Sequence, residues 1–323
     1  MRRVAWGVLI TLALAATLAG PLSPNDPTRS FADRTYAPPM RVHLFHDGAW
    51  HGPFVYAQRL EDRLSSRYGQ DRTRPLPLRW FHDGRLVSLD PGDGPLLLLG
   101  ADALGRDAFA RLLHGARLSL GVTLIGALGA LVVGVILGTL AGMFPGRVDA
   151  VIMVFADLVI ALPAVYLVLV LRSSLPLTLD AAAVFTVLAP IFVFAAWPSV
   201  ARGVRAIVAV ERTRDYIEAS RAAGAGWWHL VRQLVPASGG FLRTQFVLLV
   251  PALLVAESTI SYLGLGFPEP HSSWGLLLRD GTTLSAMRMA PWLMAPAVGV
   301  LVVAVSCQAV LARGVIDSRT LHR

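Results

Sequence analysis

Long apolar runs alternate with short charged ones along most of this chain, and one long polar stretch breaks the rhythm near its start. After Arg2 and Arg3, residues 4–22 are apolar over nearly the roughly 20 residues that cross a bilayer. This run fits a cleavable signal peptide with a site near Thr17-Leu18-Ala19, or a signal anchor retained as a first transmembrane helix. The anchor is preferred, because five further spans follow and an even total brings both ends to one side. Those spans are the apolar runs 118–143, 150–171, 181–200, 241–265 and 291–312. The first carries glycines at 121, 126, 129, 134, 138 and 142, which leave one small face for close helix packing. Run 181–200 is interrupted by Pro190 and Pro198, FPGRVDA at 144–150 reads as a short cytoplasmic loop, and Arg172–Asp180 reads as an external turn.

The pattern predicts an all-α polytopic membrane protein with six transmembrane helices. Its layout is a first span at 1–22, an external insert at 23–100, an amphipathic lead-in at 101–117, a five-span domain at 118–314 with a charged loop at 206–236, and a cytoplasmic tail at 315–323. In the insert, FVYAQRLEDRLSSRYG reads as a short helix, with Leu60, Leu64 and Tyr68 spaced by four. LPLRWFHDGRLVSLD reads as a hairpin turning at Asp83-Gly84. The insert holds many arginines, but a loop this long crosses a membrane regardless of charge. The lead-in reads as an interfacial helix, with Phe109, Leu112 and Leu113 facing down and its arginines up.

Composition sharpens the class. The chain is 54% hydrophobic with only 15% charged residues and a mean hydropathy of +0.57, whereas soluble chains carry about 25% charged residues. Its net charge of +8 comes from arginine, for the sequence has no lysine. A phosphate-binding loop of the G-x-x-x-x-G-K-[ST] type is therefore excluded. Arginines flanking apolar spans point to lipid headgroups and not to nucleic acid. The single cysteine, Cys307, excludes an intrachain disulfide and a cysteine-based metal cluster.

The longest charged segment between two apolar runs in the second half of the chain is Thr213–Pro236. Asp215 and Glu218 have capping-box spacing, so a helix starts there. Gly224 and Gly226 stop it. Trp227, Leu230, Val231 and Leu234 then form the stripe of a second helix, which Pro236 ends. A small-residue helix with a few charges suits docking into another protein. Trp227 and Trp228 read as interfacial anchors. Asp157 and Glu257 lie within apolar runs, where an acid either lines a pathway or gate or makes a polar contact between helices or with a sister subunit. His43, His46 and His51 read as solvated loop histidines, since zinc-like ligation needs a closed, tightly spaced set. No metal site and no catalytic grouping is expected.

Three segments carry a family resemblance. EASRAAGAGWWHLVRQLVP resembles the EAA signature of ABC importer permeases at Glu218, Ala219, Gly224, Leu234 and Pro236, with Ser220 where alanine is usual. LLGADALGRDAFARLLHGARLSL is similar to the segment before the transmembrane domain in the DppC/OppC branch, matching at Asp102, Gly105, Arg106, Asp107, Arg111, Gly115 and Arg117. SYLGLGFPEPHSSWGLLLRDG resembles that branch's SFLGLGxxPPxPSWGxxLxDG segment at Gly264, Gly266, Trp274, Gly275 and Asp280, and is expected outside as a re-entrant or scoop-like segment. The resemblance covers roughly residues 96–320. It implies a non-enzymatic permease subunit in the cell inner membrane, both termini cytoplasmic, in a bilayer and without nucleic acid. Its implied partners are a second permease of the DppB/OppB type, two ATP-binding subunits that carry ATP and magnesium, and an external substrate-binding protein. The implied coupling residues are Asp215, Tyr216, Glu218, Ala219, Ser220 and Gly224, and the implied mechanism is alternating access. Cargo is left open among peptides, nickel, opines and glycosides. The other classes are a secondary transporter, which needs charged relays and an inverted repeat, and an intramembrane hydrolase, which needs a nucleophile and base at one depth.

Overall fold

The computed structural model describes residues 2–62, 66–162 and 180–311. The second half of run 150–171, nearly all of the expected external turn 172–180 and the tail 315–323 lie outside the described residues. The fold is mostly helical. Helices are α1 (Arg2–Thr17), α2 (Ala108–Met143), α3 (Arg147–Ala161), α4 (Ala181–Glu211), α5 (Asp215–Ala222), α6 (Trp227–Leu234), α7 (Gly239–Tyr262), α8 (Trp274–Gly281), α9 (Leu284–Met289) and α10 (Ala295–Leu311). Among the described residues four stretches are long and apolar enough to cross a membrane: Ala108–Met143, Ala181–Glu211, Trp227–Tyr262 and Pro291–Val310. Arg3–Thr17 is a shorter apolar helix.

The chain forms two compact units, one drawn from Met1–Trp6, Val122–Ala256 and Val303–Arg323, the other from Gly7–Gly121 and Glu257–Val302. In the first, the glycine face of α2 lies on α4. A Cβ built on Gly138 would stand 2.5 Å from the Ala201 carbonyl oxygen and 2.8 Å from Val204 Cβ. Gly134 and Gly142, one turn away on either side, meet Val200 and Val208 in the same way. Such contact lets dispersion act between backbones where lipid removes the hydrophobic drive. Ala156, Val159, Trp197 and Ala201 form a buried cluster between α3 and α4, with Val133 and Leu137 of α2 packed on it. Pro190 and Pro198 do not interrupt α4, which runs through both to Glu211. Apolar neighbours and local adjustment let a membrane helix absorb the lost backbone bonds.

In the second unit the insert corrects two expectations. It adds a sheet to the expected all-α class, and the described residues of FVYAQRLEDRLSSRYG are strand and turn, not helix. Strands β1 (His43–His46), β2 (Ala49–Asp62) and β3 (Arg67–Pro77) form an antiparallel sheet in the order β1-β2-β3. The spacing of Leu60, Leu64 and Tyr68 misleads, because cross-strand pairing and the β-favouring Phe54, Val55 and Tyr56 decide the segment. Phe54, Val55 and Leu76 are buried. The expected hairpin is present as β4 (Arg79–His82) and β5 (Arg85–Ser88), with His82 opposite Arg85 and Asp83 and Gly84 at positive φ in the turn.

The lead-in is also corrected. From Ala108 it continues without a break into the apolar run, and two of its arginines point inward. Arg106 and Arg111 are buried, Arg111 completely. Arg106 Nε donates to Asp102 Oδ2 at 2.8 Å, and Arg111 donates to the same oxygen, to Asp280 Oδ2 at 3.1 Å and through Nε to Ser272 Oγ at 2.9 Å. Asp102 Oδ1 accepts the backbone N–H groups of Leu104 and Arg106. Helical patterning shows which side of a helix is apolar, but not that polar residues some 160 positions on arrive to pair with its charges.

Asp107, just before α2, is buried and accepts from Phe109 N at 2.9 Å and Asn25 Nδ2 at 2.8 Å. Burial pushes its carboxyl up to about 6, against the lowering from these hydrogen bonds. A raised folded-state value means that this contribution to stability is complete below pH ~4 and is lost as pH rises through about 6. A rise of this size corresponds to about 3 kcal/mol. A thermal-unfolding series between pH 4 and pH 7 is expected to show this slope in the native chain and a flatter one in Asp107→Asn.

Candidate functional site

The charged segment between α4 and α7 folds as a helical hairpin. α5 begins at Asp215 as expected, but the capping box is not formed: Arg214 is the N-cap and no side chain caps it. Asp215 and Glu218 still lie in the first turn, where carboxylates complement the helix dipole. Gly224 ends α5 with φ +79, a conformation that other residues adopt only with strain. Gly226 then starts α6.

Only Ile217 of α5 is buried, and on α6 Leu230 and Leu234 are. Those three side chains fix the hairpin. They leave Asp215, Tyr216, Glu218, Ala219 and Gly224 exposed together. Ser220, half-buried, has a role that its sequence position does not reveal. Its hydroxyl donates to the Tyr216 carbonyl at 2.9 Å and accepts from Gln233 Nε2 at 3.2 Å, tying α5 to α6. Its carbonyl accepts from Ala225 N at 3.0 Å across the turn. Tyr216 Oη donates to Glu211 Oε1 at 2.9 Å, so the ring is held to the end of α4. Trp227 and Trp228 are exposed, edge to face at 5.5 Å, and the Arg232 guanidinium lies over the Trp228 ring at 5.6 Å. The hairpin thus presents small and charged groups beside an aromatic-cationic pair.

Two arginine–carboxylate pairs join α3 to α4 in the same unit. Arg205 holds both oxygens of Asp149, through Nε and Nη2. Arg202 donates to Asp157. Apolar patterning alone places no basic group near Asp157; the structure supplies one because α4 runs on past the expected end at 200 and carries Arg202 alongside α3. Arg212 Nη1 reaches the last carbonyl of α2, at Met143, 3.4 Å away.

Glu257 belongs to the other unit and is fully buried. Ser261 Oγ donates to its Oε1 at 2.7 Å, and the hydroxyls of Ser119, Ser258 and Ser273 surround the carboxylate. Ser119 Oγ also accepts from Trp274 N at 3.0 Å, and Ser273 caps α8 through Leu276 N at 3.2 Å. One acid thereby gathers serines from α2, α7 and the start of α8. Asp157 and Glu257 thus have separate sets of partners in separate units. His43 and His46 stand on β1 and His51 on β2, and not in a loop. Among the described residues no group of three or more His, Cys, Asp or Glu side chains is placed to hold a metal ion.

Long apolar helices, a close-packed glycine face and an exposed helical hairpin between two of them are the features of a polytopic membrane protein. The family described as "Binding-protein-dependent transport system inner membrane component" matches residues 134–321, more than half of the chain, and the chain belongs to that family. It is 36% identical over 194 residues to the oligopeptide transport system permease protein OppC of Bacillus subtilis, covering 60% of this chain and 61% of that one. It is 37% identical over 183 residues to the dipeptide transport system permease protein DppC of the same organism, covering 56% and 55%. The glutathione transport system permease protein GsiD of Pectobacterium atrosepticum is 32% identical over 208 residues, covering 63% and 65%. The matches thus span about three fifths of these relatives, and they support the DppC/OppC branch expected from the three motifs.

Proposed function

We propose that this chain is a permease subunit of an ATP-driven importer for peptides or a related small solute. It crosses the inner membrane six times with both termini cytoplasmic. The insert at 23–100 lies outside and the loop at 206–236 inside. It works beside a second permease of the DppB/OppB type, two ATP-binding subunits and an external substrate-binding protein. The chain carries no cofactor of its own; ATP and magnesium are bound by the ATP-binding subunits.

The observation that carries this reading is the hairpin α5–α6, which exposes Asp215, Tyr216, Glu218, Ala219 and Gly224 on one short helix and its end, within the family match. Closure of the ATP-binding pair displaces α5. The displacement passes to α4 through the Tyr216–Glu211 bond and the buried Ile217, and opens the spans to the other side. Glu218 and Gly224 are coupling residues and catalyse nothing. Asp157 and Glu257 serve as interhelical contacts and not as pathway groups, a reading supported by the Arg202 pair and the serine cluster. The family match favours this account over a secondary transporter.

The test is the double substitution Glu218→Arg plus Gly224→Trp in membranes with the ATP-binding subunits. A Cβ at Gly224 meets nothing within 4 Å, while a φ of +79 strains any side-chain-bearing residue by about 1–2 kcal/mol; membrane insertion of the variant is checked alongside. Co-purification is expected to weaken, or ATP hydrolysis to lose its dependence on cargo. Normal values of both would remove the coupling role.

A further inference from the structure

The small sheet of the insert is built around an irregularity. Tyr56 of β2 stands opposite Pro75, but Ala57 stands opposite Asp71, so residues 72–74 bulge out of the ladder. Asp71 pins the bulge, its Oδ1 accepting from Thr73 N at 3.0 Å and from Thr73 Oγ1 at 2.5 Å. Arg74 is taken by Asp93 at 2.7 Å. Arg72 is exposed and forms no ion pair among the described residues.

The bulge and the turn after β1 border a concavity of about 750 Å³, lined by His43, His46, Tyr56, Gln70, Arg72 and Thr73, with Asp47 at its edge. This volume falls within the roughly 300–1,000 Å³ of small-molecule sites. Part of the lining is aromatic: the His43 and Tyr56 rings lie 4.9 Å apart, and Phe54 backs Tyr56 at 5.2 Å. His46 Nδ1 is 3.0 Å from Tyr56 Oη. The Nε2 atom of His43 is buried and has no partner among the described residues. The one permanent cation in this lining is the Arg72 guanidinium. The lining holds a single carboxylate, Asp47, whose side chain is 91% exposed and turned to His46 Nε2 at 3.5 Å, which leaves the Arg72 guanidinium and the Gln70 amide to meet an anion. Arginine's planar fork matches a carboxylate in two hydrogen bonds, and an aromatic ring beside it favours an organic anion over a fully hydrated one.

We propose that this face of the insert is a binding site for a small organic carboxylate, such as the carboxyl terminus of a short peptide, gripped by Arg72 with Gln70 and lying against the rings of His43, His46 and Tyr56. The carboxylate chemistry follows from the lining alone. That a peptide carries it rests on the importer reading.

The full chain in lipid nanodiscs, without partner subunits, is titrated calorimetrically with Ala-Ala, with Ala-Ala amide and with acetate. Saturable binding of Ala-Ala is expected, weakened about tenfold or more by amidation and by Arg72→Gln, since a hydrogen bond to a charged group is typically worth ~1.5–3 kcal/mol. Arg67→Gln, at the far end of β3, is expected to leave it unchanged. Acetate binding more weakly than Ala-Ala identifies a peptide carrier; equal affinity identifies the bare carboxylate, and either supports the site. No saturation up to about 10 mM, or equal binding by native chain and Arg72→Gln, overturns it, as does equal weakening by Arg67→Gln. Cargo-stimulated ATP hydrolysis by the assembled importer separates the two claims. Hydrolysis without Ala-Ala binding removes the site and leaves the importer, and binding without hydrolysis does the reverse.

Discussion

Arg111→Met is expected to lower the stability of the folded chain by up to about 3–5 kcal/mol, the cost of removing one of the two cations from a largely buried charge cluster. A domain is stable by only about 5–15 kcal/mol in total, so much of the purified protein should be lost. The reason is the density of charge around one guanidinium. Arg111 is fully buried and bridges Asp102 to Asp280, while Arg106 shares Asp102 and reaches Glu269 Oε1 at 3.3 Å. Burial already pushes the Asp280 carboxyl up, and Arg111 is the first group that opposes this. Without it, Asp102 and the partly exposed Asp280 are left to share Arg106 alone, at 2.8 and 3.9 Å. Asp102→Asn in the Arg111→Met chain should recover part of the loss. The substitution removes one buried charge, and the amide oxygen it leaves can still accept from Leu104 N and Arg106 N. The midpoint for loss of the monodisperse peak on heating, measured for the three chains, checks both the fall and the recovery. Equal midpoints in native and Arg111→Met chains would show that the cluster is solvated.

The second large effect is expected at Gly138. Even an alanine there places Cβ 2.5 Å from the Ala201 carbonyl oxygen, a backbone atom that cannot swing aside. Leucine adds further branched carbons beyond Cβ, so α2 and α4 must separate along the line that Gly134 and Gly142 also occupy. Overpacking of a tight interior costs about 1–3 kcal/mol, and more where backbone must move. Gly138→Leu is therefore expected to abolish a stable fold, with Gly138→Ala intermediate. Gly240 provides the contrast. It lies in the first turn of α7 with nothing within 4 Å of an added Cβ, so Gly240→Ala should be neutral or slightly stabilising. Protease resistance in detergent ranks the variants, and a Gly138→Leu chain as resistant as the native one would mean that α2 and α4 are not in contact.

Much of this is legible from residues alone. Apolar runs of bilayer length and a recurring glycine spacing announce packed membrane helices, and the structure lays that spacing on α4. The helix break at Gly224 and the Asp83-Gly84 turn are equally plain, because positive φ is a local requirement. What the sequence hides is pairing at a distance. The β2–β3 sheet is masked by a chance spacing of four, since strand pairing depends on a partner segment and not on local period. Arg106 and Arg111 read as outward because an amphipathic pattern shows which side is apolar, but not that Asp280 and Ser272 come to meet the other side. Arg202 is hidden as the partner of Asp157 for a related reason. An apolar boundary sets the end of α4 too early, whereas the helix continues into charged sequence. Ser220 departs from the usual alanine of the EAA pattern, and only the hairpin geometry shows that its hydroxyl accepts from Gln233.

Whether the α5–α6 hairpin faces the cytoplasm under an ATP-binding subunit is open to direct measurement. The chain has one cysteine, the buried Cys307, so Cys307→Ser gives a cysteine-free background. Ala219→Cys in that background places a single thiol on the exposed side of α5. Its labelling by a membrane-impermeant maleimide is compared in inside-out and right-side-out vesicles, with and without the ATP-binding subunits. Rapid labelling in inside-out vesicles only, slowed when those subunits are added, is the expected result. Labelling in right-side-out vesicles, or labelling unaffected by the subunits, would contradict the account.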